Sequence, residues 1–243
     1  HNDMSHLKEL LEVKVSGAEN VPVFILSETV FSMDGDIVDL PRTAELCQKY
    51  GAYLMMDEAH SVGVLGETGR GVEEHFGMPD CVDVKMGTLS KTIPSVGGYI
   101  AGSRGMINLL KHAARGFIFS AAIPPAQAAA AKAAFEVILD EPDRIGRVQR
   151  NAEQFIGGLK SAGFDTMQSE TAIVPVLCGT DEDAYKMARL CQREDIFVLP
   201  VVSPAVPEGM ARLRATVTAG HNSRQIERAL SVLVKAGKQL GLI

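Results

Sequence analysis

A lysine and an aspartate, each at the end of an apolar run, are the side chains in this sequence best suited to covalent chemistry. Asp57 ends the run AYLMMD, and Lys91 ends the run VDVKMGTLSK. A lysine amine can form a Schiff base with an aldehyde, and a carboxylate can keep a pyridine nitrogen protonated. The hydroxyl groups of Thr88 and Ser90 can bind a phosphate. Singly, such residues are more often turn or surface residues, but together they are the set that pyridoxal 5'-phosphate (PLP) requires.

These residues follow predicted strands. Continuous apolar runs bounded by turn residues are typical of strands buried on both faces. The runs are 21–28, 52–60, 82–91 and 97–102. Helical periodicity is found at 3–15, 40–50 and 124–139. This alternation predicts an α/β domain with a largely parallel sheet.

Ligands of open α/β sheets bind beyond the carboxyl ends of the strands. The polar residues that follow the first three predicted strands are Ser27, Glu28, Ser32, Asp57, His60, Thr88, Ser90 and Lys91. We therefore expect these side chains to converge on one crevice.

The rest of the chain has a different pattern. After a helical stretch at 144–161, strands are predicted at 172–178, 196–202 and 211–218, and helices at 181–193 and 223–240. The order strand–helix–strand–strand–helix is typical of a compact α+β unit. We therefore predict two domains: residues 1–145 as a PLP-binding large domain and residues 146–243 as a small C-terminal domain.

Composition excludes several classes of function. The net charge is -6 without a run of Lys and Arg, so binding to nucleic acid has no electrostatic support. No stretch reaches 18 apolar residues, and the N-terminal segment HNDMSHLKEL has no apolar export signal. The four cysteines, Cys47, Cys81, Cys178 and Cys191, fit no metal-ligand or disulfide spacing. We expect reduced thiols, no metal site and a cytoplasmic protein.

Two further features have an ordinary structural interpretation. The segment GETGRG (66–71) has glycines like those of a phosphate-binding loop but lacks the Lys-Ser/Thr end, so we interpret it as a turn. Arg212 and Arg214 alternate on a predicted strand, so one of the two could simply be solvated.

Five ordered segments carry a resemblance to a known family. They are VFSMDGD (30–36), MDEAHSVGVLGETGRG (56–71), GTLSKTIPSVGGYIAG (87–102), FIFSAAIPPAQA (117–128) and ARLRATVTAGHN (211–222). Together they resemble the α-oxoamine synthases, PLP-dependent acyltransferases of fold type I. The resemblance implies part of the large, mostly parallel-sheet domain of that fold, followed by its C-terminal α+β domain.

The resemblance also implies a role for each matching residue. Lys91 resembles the Schiff-base lysine, and Asp57 resembles the partner of the pyridine nitrogen. His60 and Ser32 are placed like the residues near the phenolic oxygen of the cofactor, and Thr88 and Ser90 like contacts to its phosphate or to the lysine. Ser120 matches a hydroxyl that reaches the phosphate in the neighbouring subunit. Glu28 resembles an acidic residue near the substrate, and Arg214 the arginine that binds the carboxylate of the amino acid.

The implied reaction is a decarboxylating condensation of an amino acid with an acyl thioester, which gives an α-amino ketone. The acyl donor is an acyl-CoA or an acyl-carrier protein. The segment GTLSK favours members that resemble serine palmitoyltransferase, whereas the ending GKQLGLI favours the ketobutyrate ligase branch, so the substrates stay open. Family members form their sites across a dimer, so we expect a homodimer with shared active sites.

Two other functions stay open. A fold-type I aminotransferase would share Lys91 and Asp57, but DEAHSVG and ARLRATVTAGH argue against it. A non-catalytic partner subunit, or an incomplete fragment of the enzyme, is the second alternative, and the presence of His60 beside that pair argues against a degenerate subunit. We expect the glycine-rich phosphate-binding segment and the ring-stacking histidine of the family to lie upstream of His1.

Overall fold

The computed structural model describes residues 1–16 and 21–243, and contacts divide the chain into two compact units. The large unit comprises His1–Val30 and Val38–Pro142. The C-terminal unit comprises Asp143–Ile243 together with the short segment Phe31–Ile37. The two functional domains predicted above, 1–145 and 146–243, remain a prediction.

A four-stranded sheet forms the centre of the large unit. Its strands are β1 (Phe24–Glu28), β2 (Tyr53–Asp57), β3 (Val84–Thr88) and β4 (Gly98–Gly102), in that spatial order. The first three strands are parallel and β4 is antiparallel to β3. Together with the three-stranded antiparallel sheet of the C-terminal unit, this arrangement confirms the predicted fold class.

Six helices precede, connect or follow the strands of the large unit within the described residues. They are α1 (Met4–Ser16), α2 (Leu40–Tyr50), α3 (Val72–Phe76), α4 (Arg104–Ala113), α5 (Arg115–Ile118) and α6 (Pro125–Asp140). Helix α2 begins where the Asp39 side chain accepts the Arg42 N–H and ends at Gly51 in the left-handed conformation. Proline occupies the first turn of α6, where a missing N–H costs nothing.

The C-terminal unit is an antiparallel sheet covered by helices. Its elements are α7 (Asp143–Ser161), β5 (Ile173–Gly179), α8 (Asp181–Gln192), β6 (Leu199–Val201), β7 (Ala211–Thr216) and α9 (Ser223–Leu240), with the strand order β5-β7-β6. Apolar side chains of both layers pack together, including Leu159, Val174, Met187, Leu213 and Leu233, all at most 2% exposed. Strand β6 is shorter than the predicted 196–202, because it is an edge strand and Pro200 has no N–H to donate.

The segment Phe31–Ile37 joins the C-terminal unit through its backbone. The carbonyl of Gly35 accepts the Thr171 hydroxyl at 2.9 Å and the Glu170 N–H at 3.2 Å. The Ile37 N–H donates to the Glu170 carboxylate at 3.3 Å. Gly35 has a φ of +76°, and a Cβ there would lie 1.9 Å from the carbonyl oxygen of Ile173. Only glycine therefore fits this approach without displacement.

Among the helices of residues 1–16 and 21–243, none combines the length and the apolar character that crossing a membrane requires. All four cysteines are free thiols, and burial raises the pKa of Cys47, Cys178 and Cys191 to about 11.

Candidate active site

The predicted site residues of the large unit, apart from Ser120, lie at or just beyond the carboxyl ends of three adjacent parallel strands. In the sheet register Glu28 of β1 pairs with Asp57 of β2, and Asp57 pairs with Met86 of β3, two residues before Thr88. Strand β2 ends at Asp57, three residues earlier than its apolar run suggested, because residues 58–60 enter a turn. Asp57 is half-buried, and its Oδ1 accepts the Ala59 N–H at 2.8 Å, which fixes the carboxylate at the strand end.

Lys91 and His60 are in direct contact. The Nζ atom of Lys91 lies 2.8 Å from Nε2 of His60. Either nitrogen can donate in this contact, since the lysine amine and the imidazole can each carry a hydrogen or offer a lone pair there. Lys91 is exposed and His60 half-buried, which leaves the amine accessible to a small molecule. The pair can pass a proton between an amine and an imidazole at the edge of the sheet.

The hydroxyls of Thr88 and Ser90 form a second pair. Their oxygen atoms are 2.9 Å apart, and the Thr88 hydroxyl also donates to the carbonyl of Gly97 at 3.4 Å. Ser90 is exposed and Thr88 half-buried. The last residue of β3, Thr88, and Ser90 just after it thus place two hydroxyl groups directly before Lys91. Hydroxyl groups of this kind can bind phosphate oxygens.

A buried polar chain behind these residues was missed by the sequence analysis. The Thr29 hydroxyl lies 2.8 Å from the Asp57 carbonyl oxygen and 2.9 Å from the Ser61 hydroxyl, and Ser61 contacts the Glu58 carboxyl. Thr29 and Ser61 are 0% exposed and Glu58 is 4% exposed. These residues lie in the segments SET and DEAHS. Strand ends and turns have no regular alternation of apolar and polar residues, so the sequence does not indicate that these polar side chains are buried.

The glycine-rich segment 66–71 is a turn, as predicted. The Glu74 carboxylate accepts the Thr68 hydroxyl at 2.6 Å and the Arg70 N–H at 2.9 Å. Partial burial acts to raise the pKa of Glu74, but these hydrogen bonds outweigh it and the pKa is lowered. Since a carboxylate lies where the loop N–H groups point, this segment is not a phosphate-binding loop.

Ser32 and Arg214 are brought together within the C-terminal unit. Arg214 Nε donates to the Ser32 carbonyl at 2.6 Å, and Nη1 lies 3.4 Å from the Thr216 hydroxyl. Arg214 is half-buried. The bond through Nε fixes the plane of the guanidinium, whose two terminal nitrogens form the fork that suits a carboxylate.

Arg212, two residues earlier on β7, is a structural residue. It is 2% exposed, and Nη1 forms an ion pair with Asp34 at 2.5 Å. Its guanidinium also donates to the carbonyls of Met210 at 3.0 Å and Met33 at 3.3 Å. Neither arginine is the simple solvated residue that the sequence left possible.

Ser120 follows α5 in an exposed apolar segment. Its hydroxyl donates to the Gly116 carbonyl at 2.6 Å. The neighbouring side chains Phe117 and Phe119 are 63% and 78% exposed. With Ile118, which is 47% exposed, they form a continuous run of exposed apolar side chains, and such patches are typical of interaction surfaces.

Comparison with known proteins identifies the family. The sequence profile described as aminotransferase class I and II matches residues 1–233, and the chain belongs to this family. It is 43% identical over its whole length to an 8-amino-7-oxononanoate synthase of Symbiobacterium thermophilum, and 41% identical over 98% of its length to a serine palmitoyltransferase of Bacteriovorax stolpii. A solved serine palmitoyltransferase from S. paucimobilis with bound PLP–myriocin superimposes on the whole chain with a TM-score of 0.91 and 32% identity.

The resemblance to α-oxoamine synthases is thereby confirmed, and so is the fold-type I architecture. The chain spans 62% of the length of the Symbiobacterium relative, 56% of the Bacteriovorax relative and 61% of the solved structure.

Proposed function

We propose that this chain is part of a PLP-dependent acyltransferase that condenses an amino acid with an acyl thioester, with loss of carbon dioxide, to give an α-amino ketone. The observation that carries this proposal is the contact between Lys91 and His60, 2.8 Å apart beyond the ends of β2 and β3. The relatives named 8-amino-7-oxononanoate synthase and serine palmitoyltransferase support it.

The side chains at the sheet edge fit PLP. A reactive aldehyde needs an accessible amine, which Lys91 offers, and a pyridine nitrogen needs a carboxylate, which Asp57 offers in a fixed orientation. PLP, when bound, supplies an electron sink for a negative charge that develops on the amino-acid carbon. Thr88 and Ser90 would bind its phosphate, and Ser32 and His60 would lie near its phenolic oxygen.

Lys91 would serve both as the attachment point and as the base. Its Nζ would bind the aldehyde of the cofactor and, when not bonded to it, would take a proton from the α-carbon of the amino acid. His60 would hold the amine through Nε2 and accept or return its proton. Placing both nitrogens within hydrogen-bond distance before substrate arrives removes the need to assemble them during the reaction.

Arg214 would bind the carboxylate of the amino acid. Its Nε is already held by the Ser32 carbonyl, which orients the terminal nitrogens. A fork of two N–H donors binds a carboxylate at two points, which a lysine cannot do. Glu28, at the end of β1, would lie near the substrate, as the resemblance to the family implies.

The reaction is tested by incubating the protein with PLP, a panel of amino acids and a panel of acyl thioesters, on CoA and on a carrier protein. We expect release of free thiol and carbon dioxide in equal amounts, with Arg214→Lys raising KM for the amino acid. Transfer of the amino group to an oxo acid, without thiol release, would instead establish an aminotransferase. Failure of both reactions with PLP bound would favour the non-catalytic partner subunit.

We propose a homodimer with shared active sites. The exposed apolar segment around Phe117 and Phe119 supports an interface there, and Ser120 within it would reach the phosphate in the neighbouring subunit. Sedimentation should give the mass of a dimer, and Phe119→Asp should shift it to the monomer. We also expect a cytoplasmic protein, in keeping with its four free cysteines.

A further inference from the structure

We infer that Glu58 is held as a neutral carboxylic acid that donates into the buried chain Glu58–Ser61–Thr29–Asp57, and that this chain positions the turn carrying His60. The role toward the cofactor rests on the proposed function, whereas the protonation of Glu58 does not. Glu58 would be a positioning residue, since it acts through His60 and Asp57 and contacts neither PLP nor substrate.

The chain consists of three oxygen-to-oxygen contacts in a dry environment. Its links are Glu58 to Ser61, Ser61 to Thr29 at 2.9 Å, and Thr29 to the Asp57 carbonyl at 2.8 Å. Beside these three links, the Ser61 hydroxyl lies 3.1 Å from the Glu58 carbonyl oxygen, which can share the hydrogen that Ser61 donates. At these distances each contact requires one hydrogen between its two oxygens. Three contacts therefore require three hydrogens.

The carbonyl of Asp57 fixes the direction of the chain. A carbonyl only accepts, so the Thr29 hydroxyl donates to it. Thr29 then has to accept from the hydroxyl of Ser61, and Ser61 has to accept from Glu58. Only a protonated Glu58 can make that donation, and its other oxygen remains to accept the Val72 N–H, which lies 3.4 Å from Oε1.

An ionised Glu58 leaves the chain one hydrogen short. Ser61 would donate to the carboxylate, and the single hydrogen of Thr29 would serve either Ser61 or Asp57. Two buried oxygens would then face each other at 2.8 or 2.9 Å with no hydrogen between them. An unsatisfied contact of this kind is costly in a site that excludes water.

The surrounding charges agree with this assignment. Burial, at 4% exposure, is the largest influence on the Glu58 carboxyl and raises its pKa, whereas the Val72 N–H favours the ionised form and lowers it. The charged groups that face it, Glu73 and Lys85, form an ion pair of their own at 2.5 Å and oppose each other's effect.

The chain links both ends of the turn to the cofactor residues. Asp57 precedes Glu58 directly, and the turn from Glu58 to Ser61 carries His60, which contacts Lys91. At its far side the Glu58 carboxyl packs on Gly71, where a Cβ would lie 2.3 Å from Oε2. The Glu58 carboxyl thus contacts both Ser61, at the end of the turn, and Gly71 behind it, and these contacts stabilise the turn.

Infrared spectroscopy tests the protonation of Glu58 without the cofactor. The wild-type protein at neutral pH should show the C=O stretch of a buried carboxylic acid, and Glu58→Gln should lose it. Absence of that band in the wild type would overturn the inference, whatever the protein does with PLP. If the band is present but PLP does not bind at Lys91, the proposed function fails and the assignment of Glu58 stands.

Matched variants test the positioning role with PLP. Glu58→Gln keeps a donor and an acceptor in the same shape, so PLP affinity should stay within about twofold of wild type, and the pH dependence of the Lys91-dependent visible band should be unchanged. Ser61→Ala breaks the chain and should weaken PLP binding at least about tenfold and shift that pH dependence. Weak binding by Glu58→Gln together with normal binding by Ser61→Ala would overturn the positioning role.

Discussion

Replacing Arg212 by methionine is expected to destabilise the C-terminal unit by about 3 kcal/mol. The guanidinium is 2% exposed and is the partner of the Asp34 carboxylate at 2.5 Å. Methionine keeps the apolar stem but leaves the carboxylate and the carbonyls of Met210 and Met33 without this donor. Breaking a buried ion pair costs about 3–5 kcal/mol, and the lower end applies because the Asp34 side chain is 19% exposed to water.

Urea unfolding followed by far-UV circular dichroism measures this effect, since the chain contains no tryptophan for fluorescence. Arg212→Met should lower the unfolding midpoint. Arg214→Met, on the same strand, should cost only about 1 kcal/mol, because Arg214 is half-buried and water can replace its hydrogen bonds to the Ser32 carbonyl and the Thr216 hydroxyl. Adding Asp34→Asn to Arg212→Met should recover at least about 1 kcal/mol, since the carboxylate charge that lost the guanidinium is removed as well. In enzyme assays at low temperature, Arg212→Met should keep its KM for the amino acid, whereas Arg214→Met should raise it. An unchanged midpoint in Arg212→Met, or a larger loss in Arg214→Met, would refute the division of roles between the two arginines.

Two further predictions concern single residues of the fold. Gly35→Ala should cost about 3 kcal/mol or more, because its Cβ would meet the Ile173 carbonyl at 1.9 Å, whereas Gly51→Ala, also at positive φ but with nothing within 4 Å, should cost only about 1–2 kcal/mol. Equal unfolding midpoints for the two variants would contradict this reasoning. Glu74→Gln should cost about 1–3 kcal/mol at neutral pH, since it weakens the acceptor of the Thr68 hydroxyl and loop N–H groups. The folded pKa of Glu74 lies below its usual 4.5, so its contribution is present above that pH and is lost as the pH falls further; a difference from wild type that persisted at lower pH would count against this assignment.

Most of the elements could be predicted from the sequence, because their signals are local. The bounds of α2 (Leu40–Tyr50) and α9 (Ser223–Leu240) agree with the predictions, since Asp39 and Asn222 cap their starts and glycines follow their ends. Strands β1 to β3 were found as apolar runs, but their ends were extended by up to three residues. A run of apolar residues does not show where the backbone hydrogen bonds to a neighbouring strand end.

The candidate site was predictable only in part. The contact between Lys91 and His60 agrees with the expectation that residues after adjacent strands converge, since parallel strands end at one edge of the sheet. The ion pair of Arg212 with Asp34 joins residues 178 positions apart, and no spacing in the sequence reports it. The burial of Glu58 was missed for a similar reason, because an acidic residue in a turn is usually solvated.

The covalent attachment of PLP to Lys91 is the central claim, and it can be measured directly. The visible absorption spectrum of the protein with PLP should show a band that borohydride abolishes, and peptide mapping should then find the label on Lys91. Lys91→Ala should show neither the band nor the label, whereas Lys85→Ala, on the strand just before it, should retain both. A band that persists in Lys91→Ala, or a label on another lysine, would contradict the account.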